Sequence, residues 1–254
     1  MILAIIQART TSTRLPGKVL LPIVDRPMIL LQAERILRSR RIGKLLIATS
    51  RESSDDQLAA ICEEAGVPVF RGSLNDVLDR FYQAAATASP DYVVRLTGDC
   101  PLADSRLIDA VIEYCLVNRF DYASNTIEPT YPDGLDVEVM TFEALKTAWS
   151  DAALPSQREH VTPFIYQHPE RFSIGSYKGP ANLSSLRWTV DEPDDYRFVK
   201  AVYENLYPRN QAFSTDDVVR LLETMPELRE LNSQFRRNEG YQASLAKDDA
   251  RSRH

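Results

Sequence analysis

The sequence predicts an α/β protein in which a mixed, mainly parallel sheet lies between two layers of helices. Short apolar runs alternate with amphipathic helical patterns up to about residue 118, and beyond it strand candidates follow with fewer helices between them. With 254 residues, 44% of them hydrophobic, the chain can bury a sizeable core. Strict alternation implies parallel strands joined by right-handed crossovers, with ligands bound beyond the carboxyl ends of the strands.

The first half of the chain is built from four apolar runs, each bounded by turn-forming or charged residues. A pattern of apolar side chains at helical spacing follows each run. We therefore expect four consecutive strand–helix units in this half. The predicted strands cover residues 3–7, 44–49, 67–70 and 92–97, and the predicted helices cover residues 28–38, 56–65, 77–86 and 107–116.

In the second half the strand candidates follow one another with fewer helices between them, which predicts mixed or antiparallel strands. Prolines and a glycine interrupt residues 126–134, which indicates an exposed loop or arm. We expect one domain over residues 1–237, with two halves that meet near residue 118, and a frayed polar segment over residues 238–254. The predicted strands cover residues 120–125, 135–141, 172–177 and 186–190, and the predicted helices cover residues 194–205, 215–222 and 227–235.

The composition excludes several classes of protein. Thirty Lys and Arg residues against 36 Asp and Glu residues give a formal net charge of -6, which disfavours nucleic acid as a partner. Three cysteines without metal-ligand spacing indicate reduced thiols rather than a disulfide framework or a zinc site. The apolar start lacks a basic region, and no later segment approaches membrane-spanning length. We expect a cytoplasmic protein without a membrane partner.

A polar loop over residues 7–18 directly follows the first predicted strand. Its cations Arg9, Arg14 and Lys18 can neutralise phosphate oxygens, and its hydroxyl side chains and backbone N–H groups can donate hydrogen bonds. Gly17 permits a close approach of the backbone. The spacing is not that of a Walker loop or a dinucleotide fingerprint. The loop predicts a polyphosphate site, and a solvated basic loop is the alternative.

Two carboxylates stand at the ends of predicted strands in different parts of the chain. Asp99 and Asp191 could bind Mg²⁺ together with substrate phosphates, because magnesium takes one or two protein carboxylates. A helix cap is the alternative for Asp99, although Asp104 is better placed to cap the following helix. Asp194 and Asp195 are interpreted as structural, since acids in a first helical turn complement the helix dipole.

Two further features of the second half are weaker. Period-2 alternation places Asp136 and Glu138 on one face of a strand, where they could accept hydrogen bonds from sugar hydroxyls. A half-exposed strand explains the same pattern. His160 could be catalytic, but a single histidine on a helix is more often structural, and nothing in the sequence completes a hydrolase triad.

A polar turn follows the third predicted strand. Arg71, Asn75, Asp76 and Arg80 lie where a contact to the base or the ribose of a nucleotide is expected, with capping of the next helix as the alternative.

Five ordered motifs carry a resemblance to a known family. They cover residues 6–18, 70–81, 95–102, 133–138 and 188–193. On these motifs the chain resembles the cytidylyltransferase family of spore coat polysaccharide biosynthesis protein F, which is related to the Kdo and acylneuraminate cytidylyltransferases. The resemblance implies the nucleotide-diphospho-sugar transferase fold, with a nucleotide-binding half over about residues 1–118 and an acceptor and metal half over about residues 119–237. The chain departs from the Kdo enzymes at Cys100, where they usually carry an acidic residue.

The resemblance also implies roles for individual residues. Asp99 and Asp191 match the magnesium carboxylates, and Asp136 and Glu138 are the candidate acceptor-binding residues. The predicted catalytic residues are Arg14, Lys18 and Asp99, and the predicted nucleotide-binding residues are Ala8, Arg9, Thr10, Arg14, Lys18, Arg71, Asn75, Arg80 and Thr97.

The implied activity is the transfer of CMP from CTP to a sugar or sugar-acid acceptor, with release of pyrophosphate, in the synthesis of surface polysaccharide or glycan precursors. Mg²⁺ is the implied cofactor, and CTP and a small sugar-type acceptor are the implied partners. The exposed strand and arm candidates favour a homodimer. A glycosyltransferase of the related fold is one alternative, although such enzymes commonly hold their metal through Asp-x-Asp and Cys100 follows Asp99 here. A nucleotide-binding protein without catalysis is the other.

Overall fold

One mixed sheet runs through the protein in the computed structural model, which describes residues 1–237 together with Tyr241, Ser244, Leu245 and Asp248. In this part of the chain the sheet has seven strands in the order β5-β4-β1-β6-β8-β7-β9. Strands β5, β4, β1 and β6 are mutually parallel, whereas β8 runs antiparallel to its neighbours β6 and β7. The strands are β1 (Ile2–Gln7), β4 (Lys44–Ser50), β5 (Val69–Gly72), β6 (Tyr92–Thr97), β7 (Tyr122–Ser124), β8 (Glu138–Thr141) and β9 (Ile174–Ser176), and a separate hairpin consists of β2 (Pro22–Ile23) and β3 (Arg26–Pro27).

Helices cover both faces of the sheet, so that the molecule has three layers. Side chains of β1 alternate between two cores, with Ala4 and Ile6 in the larger one and Leu3 and Ile5 in the smaller one. No helix in the described part of the chain is long and apolar enough to cross a membrane. The helices are α1 (Met28–Ile36), α2 (Asp56–Glu64), α3 (Val77–Ala86), α4 (Ser105–Asn118), α5 (Phe142–Asp151), α6 (Pro155–His160), α7 (Pro163–Tyr166), α8 (Pro193–Leu206), α9 (Thr215–Thr224) and α10 (Glu227–Glu230).

The predicted fold class is confirmed, and so are the four strand–helix units of the first half. The helix caps follow ordinary chemistry. Asp104 accepts a hydrogen bond from the backbone N–H of Arg106 at the start of α4, as expected for the better capping candidate. The three cysteines are buried free thiols, also as expected.

The prediction of a strand over residues 186–190 is wrong. In this segment the structure has an isolated bridge between Asp133 and Arg187. The backbone N–H groups of Trp188 and Val190 donate to the carbonyls of Asp133 and Asp99, at 2.6 and 2.8 Å, and both carbonyls belong to loops. The segment is held across the ligand edge of the sheet because its hydrogen-bond partners lie there and not on a neighbouring strand.

Helices α5 and α7 are absent from the prediction, and α6 is expected there only as the helix that carries His160. For α5 the sequence contains a usable signal, which is a threonine at the N-cap position. In the structure the Thr141 side chain accepts a hydrogen bond from the backbone N–H of Ala144 and caps the helix. The helix predicted over residues 227–235 ends at Glu230 in the structure. Beyond it the Asn232 side chain donates to the Arg187 carbonyl and to Asp195, and such side-chain bonds compete with helix continuation.

The exposed arm predicted over residues 126–134 is only partly correct. Ile127 and Glu128 are exposed, whereas the second part of the segment is packed. Tyr131 stacks on Tyr177 with ring centroids 6.3 Å apart, and Asp133 is buried. Gly134 has a φ of +102°, and a Cβ there would lie 2.3 Å from the backbone nitrogen of Thr189, so that only glycine fits.

The polar segment predicted over residues 238–254 falls mostly outside the described residues. The four positions described in it are helical, and Ser244 and Asp248 are buried.

Candidate active site

A cavity of about 1170 Å³ opens beyond the carboxyl ends of the parallel strands, where the sequence places a ligand. Its walls come from the loop after β1, the loop after β6, strand β8, helices α6 and α7, and the segment before α8. It therefore brings residues from both halves of the chain to one site. The predicted site residues that line it are Ala8, Arg9, Arg14, Lys18, Asn75, Arg80, Thr97, Asp99, Asp136, Glu138 and Asp191.

The loop after β1 is folded back on itself by local hydrogen bonds. The backbone N–H and the hydroxyl of Thr10 both donate to Asp55 at 2.8 Å, and the Thr10 carbonyl accepts from the N–H of Gly17 at 2.9 Å. Gly17 lies in the left-handed region with a φ of +68°, which starts the short helical turn at Lys18. Thr10 therefore shapes the loop with its donors and does not line the cavity.

Lys18 is the point at which the loop meets the two predicted metal carboxylates. Its Nζ donates to Asp99 Oδ2 at 3.1 Å, to Asp191 Oδ1 at 2.8 Å and to the Val190 carbonyl at 2.8 Å. The side chain of Lys18 is only 10% exposed, so the charges interact with little screening by solvent. The fold thus brings together three residues that the sequence analysis assigned separately to phosphate and to metal.

Asp99 is ionised because its charged form is well supported. Burial alone would raise the pKa of this carboxyl, but the charge of Lys18 and hydrogen bonds from Thr97, Lys18 and Cys100 outweigh burial and lower the pKa to about 2. Gly98 brings the loop close to β1, since a Cβ there would lie 2.8 Å from the Cβ of Ala8. Cys100, in contrast, is a neutral thiol, because burial and the charge of Asp99 raise its pKa well above the usual value.

Asp191 is positioned by a network that sequence reasoning missed. Asp195, fully buried, accepts hydrogen bonds from the backbone N–H groups of Asp191 and Glu192, both at 3.0 Å. Arg187 binds Asp195 through two nitrogens at 2.9 Å and reaches Asp191 Oδ2 at 3.4 Å. Arg14 binds the same Asp191 oxygen at 3.0 Å. Asp195 therefore does more than complement the dipole of α8, because it fixes the turn that carries Asp191.

Asp136 and Glu138 share one face of the strand segment, as the alternation predicts, and the intervening Val137 is buried on the other side. Glu138 is held by Arg95 on β6 and accepts a hydrogen bond from the Tyr122 hydroxyl at 2.6 Å. It therefore enters the cavity as part of a buried network and not as an isolated carboxylate.

Asp136 is less fully paired than Glu138. Arg237 donates to its Oδ1. Burial raises the pKa of Asp136 to about 7, because the charge of Arg237 offsets burial only in part and the carboxylates of Asp133 and Glu138 add to the rise. Near neutral pH this carboxyl can therefore both accept and release a proton.

Helices α6 and α7 form a wall of the cavity that the sequence analysis did not foresee. Between them Val161 has a φ of +73° and a ψ of -57°, and the N–H of Thr162 donates to the His160 carbonyl at 2.9 Å. This is a γ-turn, a strained conformation for a β-branched residue, and such strain clusters at functional sites. His160 and Thr162, on either side of the turn, both line the cavity.

His160 is neutral in this wall. Burial and the nearby charge of Arg95 lower its pKa, and its Nε2 lies 3.0 Å from the Ser244 hydroxyl. In the sequence, the polar residues on both sides of Val161 are the signal that could have identified this wall. The γ-turn itself has no recognisable local sequence pattern.

Of the two arginines predicted near the polar turn after β5, one lines the cavity and the other lies outside it. Arg80 is buried and lines the cavity, donates to the Ser73 carbonyl at 2.6 Å and has an Nε without a partner in the described part of the chain. Burial and the charge of Arg9 lower its pKa to about 10. Arg71 does not line the cavity, and its guanidinium donates to the carbonyls of Ser50 and Glu52, both at 2.9 Å.

The donor set fits magnesium, because Asp99 and Asp191 present oxygens to one point in a polar cavity and phosphate oxygens could complete the shell. Among the described residues no cluster of three or more His, Cys, Asp or Glu side chains could hold a metal by itself. An ion bound here would complete its shell with water or with phosphate oxygens of a substrate.

The sheet order and the site at its carboxyl edge define a nucleotidyltransferase of the nucleotide-diphospho-sugar transferase fold. A family model described as cytidylyltransferase matches residues 3–235, and the chain belongs to that family. It is 40% identical to the uncharacterized protein MJ1063 of Methanocaldococcus jannaschii over 92% of this chain and 96% of that protein. It is 36% identical to the spore coat polysaccharide biosynthesis protein SpsF of Bacillus subtilis, over 89% of this chain and 95% of that protein.

A solved structure gives the same result. A cytidylyltransferase from Leptospira borgpetersenii is 34% identical and superposes with a TM-score of 0.86, over 92% of this chain and 99% of that chain. The resemblance found in the sequence is therefore confirmed, together with its relation to the Kdo cytidylyltransferases, which also occur among the relatives.

Proposed function

We propose that this protein transfers CMP from CTP to a hydroxyl group of a sugar or sugar acid and releases pyrophosphate. The observation that carries the proposal is the meeting of the cationic loop after β1 with two distant aspartates at the ammonium of Lys18. Family membership supports CTP as the nucleotide. The similarity to a protein of spore coat polysaccharide biosynthesis supports a place in the synthesis of surface polysaccharide or a related glycan precursor.

In the proposed reaction the acceptor oxygen attacks the α-phosphorus in line. A new oxygen–phosphorus bond forms while the bond to the leaving pyrophosphate breaks, and the proton of the acceptor hydroxyl is released. Arg14 and Lys18 neutralise charge on the pyrophosphate, and Arg9 orients the triphosphate within the loop. Such reactions depend on positioning and on the electrostatic stabilisation of charge that develops on phosphate oxygens.

We propose Asp99 and Asp191 as the residues that would hold magnesium. The ion supplies positive charge next to the phosphate oxygens when it is bound. Within the protein, Arg187 and Asp195 keep Asp191 in place, and the Cys100 thiol donates to Asp99 at 3.4 Å. These contacts maintain the orientation of both carboxylates and do not depend on a bound ion.

We place the acceptor at the opposite end of the cavity, against Asp136, Glu138 and the wall formed by α6 and α7. Arg95 is paired with Glu138 there, and His160 and Thr162 add uncharged polar groups. Such groups suit a ligand rich in hydroxyls, because each can donate or accept a hydrogen bond.

Two wider expectations remain proposals. We propose a cytoplasmic location, which the three reduced and buried cysteines favour. We also propose a homodimer, which sedimentation velocity of the purified protein at two concentrations would test directly.

The decisive experiment measures pyrophosphate release with each of the four nucleoside triphosphates against a panel of sugar acids, aldoses and sugar alcohols. We expect release with CTP and one acceptor class, and a CMP-linked product by mass spectrometry. Consumption of an activated sugar in place of a triphosphate would indicate a glycosyltransferase. Tight CTP binding without any product across the panel would indicate a nucleotide-binding protein without catalysis.

A further inference from the structure

The ammonium of Lys18 occupies the point at which Asp99 and Asp191 present their carboxylates. It lies 3.1 Å from Asp99 Oδ2, 2.8 Å from Asp191 Oδ1 and 2.8 Å from the Val190 carbonyl. A lysine ammonium has three protons and no lone pair, so these three bonds use every donor. In this arrangement Lys18 has no donor left for a phosphate oxygen.

The same arrangement limits what the two carboxylates can do. Asp99 Oδ2 and Asp191 Oδ1 both contact the ammonium of Lys18, so a divalent cation bound between these two oxygens would meet that charge. Two cations at one point repel each other strongly where both are largely shielded from water. Lys18 therefore cannot keep these contacts while Asp99 and Asp191 share a metal ion.

We propose that Lys18 is an exchangeable counterion of the metal site, displaced by the phosphates of the nucleotide and not by free metal. The inference rests on the proposed assignment of Asp99 and Asp191 as metal carboxylates. Without nucleotide, Lys18 holds these two carboxylates together and keeps divalent cations out. When the triphosphate enters the loop, its oxygens take the ammonium, and the carboxylates accept the cation that accompanies the nucleotide.

The surroundings of Lys18 allow this exchange with little movement elsewhere. Its backbone lies in the short 3-10 helix Lys18–Leu20, after the loop fastened by Thr10, so only the side chain has to move. Asp191 keeps the contacts of Arg14 and Arg187 to its other oxygen, and Asp99 keeps the Cys100 thiol on its other oxygen. A lysine suits the role because its charge is compact and its four-carbon side chain is flexible.

Lys18 is thus a positioning residue for the metal site, in addition to its contact with the leaving phosphates. The protein is expected to bind metal and nucleotide as one unit, because neither the free cation nor the resting lysine can satisfy both sides of the site.

The test measures Mn²⁺ binding in the absence of nucleotide by electron paramagnetic resonance, with Mn²⁺ as a spectroscopic substitute for Mg²⁺. Wild type is expected to bind Mn²⁺ weakly, and Lys18→Met to bind it roughly tenfold or more tightly, because the competing charge is gone. Lys18→Gln, which keeps a hydrogen-bond donor without the charge, should show the same gain. Lys44→Met, at an exposed lysine at the start of β4, is the matched control and should behave as wild type.

A double variant locates the Mn²⁺ ion that Lys18→Met binds. The increase in Mn²⁺ affinity caused by Lys18→Met should disappear when Asp191→Asn is added. Thermal unfolding establishes that each variant is folded, and if Lys18→Met does not fold, Lys18→Gln and the wild-type titration decide. A structural role alone would not make the loss of a lysine increase metal affinity.

The outcomes separate this inference from the function on which it rests. Equal Mn²⁺ affinity of wild type and both Lys18 variants would overturn the inference. Binding that requires CTP in every variant would overturn it as well, because phosphate and not the departure of Lys18 would then create the site. If Asp99→Asn and Asp191→Asn leave Mn²⁺ binding with CTP unchanged, the metal assignment of the proposed function is wrong, and the inference fails with it.

Discussion

The two sides of the cavity differ in how some of their arginines are held. On the nucleotide side Arg14 is paired, but Arg9 and Arg80 line the cavity and neither has a carboxylate within ion-pair distance in the described part of the chain. On the acceptor side, Arg95 is paired with Glu138 and Arg158 with Asp76. The first side has positive charge available for a polyanion, whereas the second can recognise its ligand mainly by hydrogen bonds and shape.

The difference explains why the nucleotide side is easier to identify. Cations near a strand end are visible as residue types in the sequence, and their attraction for a polyanion follows from charge alone. Paired arginines are visible too, but their partners are not, so the chemistry of the acceptor side depends on contacts that only the fold creates. Four experiments test or sharpen the comparison.

The largest effect is expected where the two sides meet. Asp99→Asn should lower the rate of pyrophosphate release by about a thousandfold or more, because the amide no longer carries the charge that holds Lys18 or a metal ion. Circular dichroism should show a folded protein. Glu143→Gln, at an exposed side chain in the first turn of α5, is the control and should leave the rate unchanged. An Asp99→Asn enzyme with the wild-type rate would remove Asp99 from the site.

The pairing on the acceptor side is tested through stability. Glu138→Gln should lower the free energy of unfolding by about 3–5 kcal/mol, because Arg95 is then left as a buried charge without its partner. The exposed pair of Glu128 and Lys178 is the matched comparison, and Glu128→Gln should cost at most about 1 kcal/mol. Urea unfolding at pH 7 measures both. Similar costs for the two variants would contradict the claim that the Arg95 pair is buried and mutually dependent.

Asp136 adds a pH dependence to the same side. Its folded pKa of about 7 lies above the usual value of 3.8, so the unfolded state releases its proton first as pH rises. Stability from this group is therefore present below about pH 4 and is lost as pH rises towards 7. Asp136→Asn should gain stability relative to wild type between pH 4 and pH 8, by on the order of 2–4 kcal/mol. Urea unfolding at both pH values measures this, and a pH-independent difference would show that the carboxyl titrates normally.

The nucleotide side is tested by two arginines from one turn. Arg80→Ala should raise the dissociation constant for CTP by about 10- to 100-fold, because a charge-assisted contact with the nucleotide is lost. Arg71→Ala should have little effect, since the Arg71 side chain binds the Ser50 and Glu52 carbonyls outside the cavity. Calorimetry with CTP measures both. An equal loss of CTP affinity in the two variants would show that Arg71 contacts the nucleotide, as the sequence predicts.

Much of the fold could be predicted because it depends on short-range patterns. The predicted strand at residues 92–97 has the same bounds as β6 in the structure, since a mostly apolar run between turn formers is typical of a strand in the middle of a sheet. The segment at 186–190 has similar composition but lies across the sheet edge, bonded to loop carbonyls. The compositions are similar, and the available hydrogen-bond partners distinguish the two segments.

The sequence alone determined the class of the fold, the cationic loop after β1 and the presence of Asp99 and Asp191 in motifs of one family. Tertiary structure decided that Lys18 bridges those two aspartates, which lie 81 and 173 positions from it along the chain. It also decided that Asp195 fixes the turn of Asp191 and that a strained turn at Val161 forms part of the cavity wall. The reason is physical. Periodicity and turn chemistry act over a few residues, whereas ion pairs between distant segments form only after the core has packed and brought those segments together.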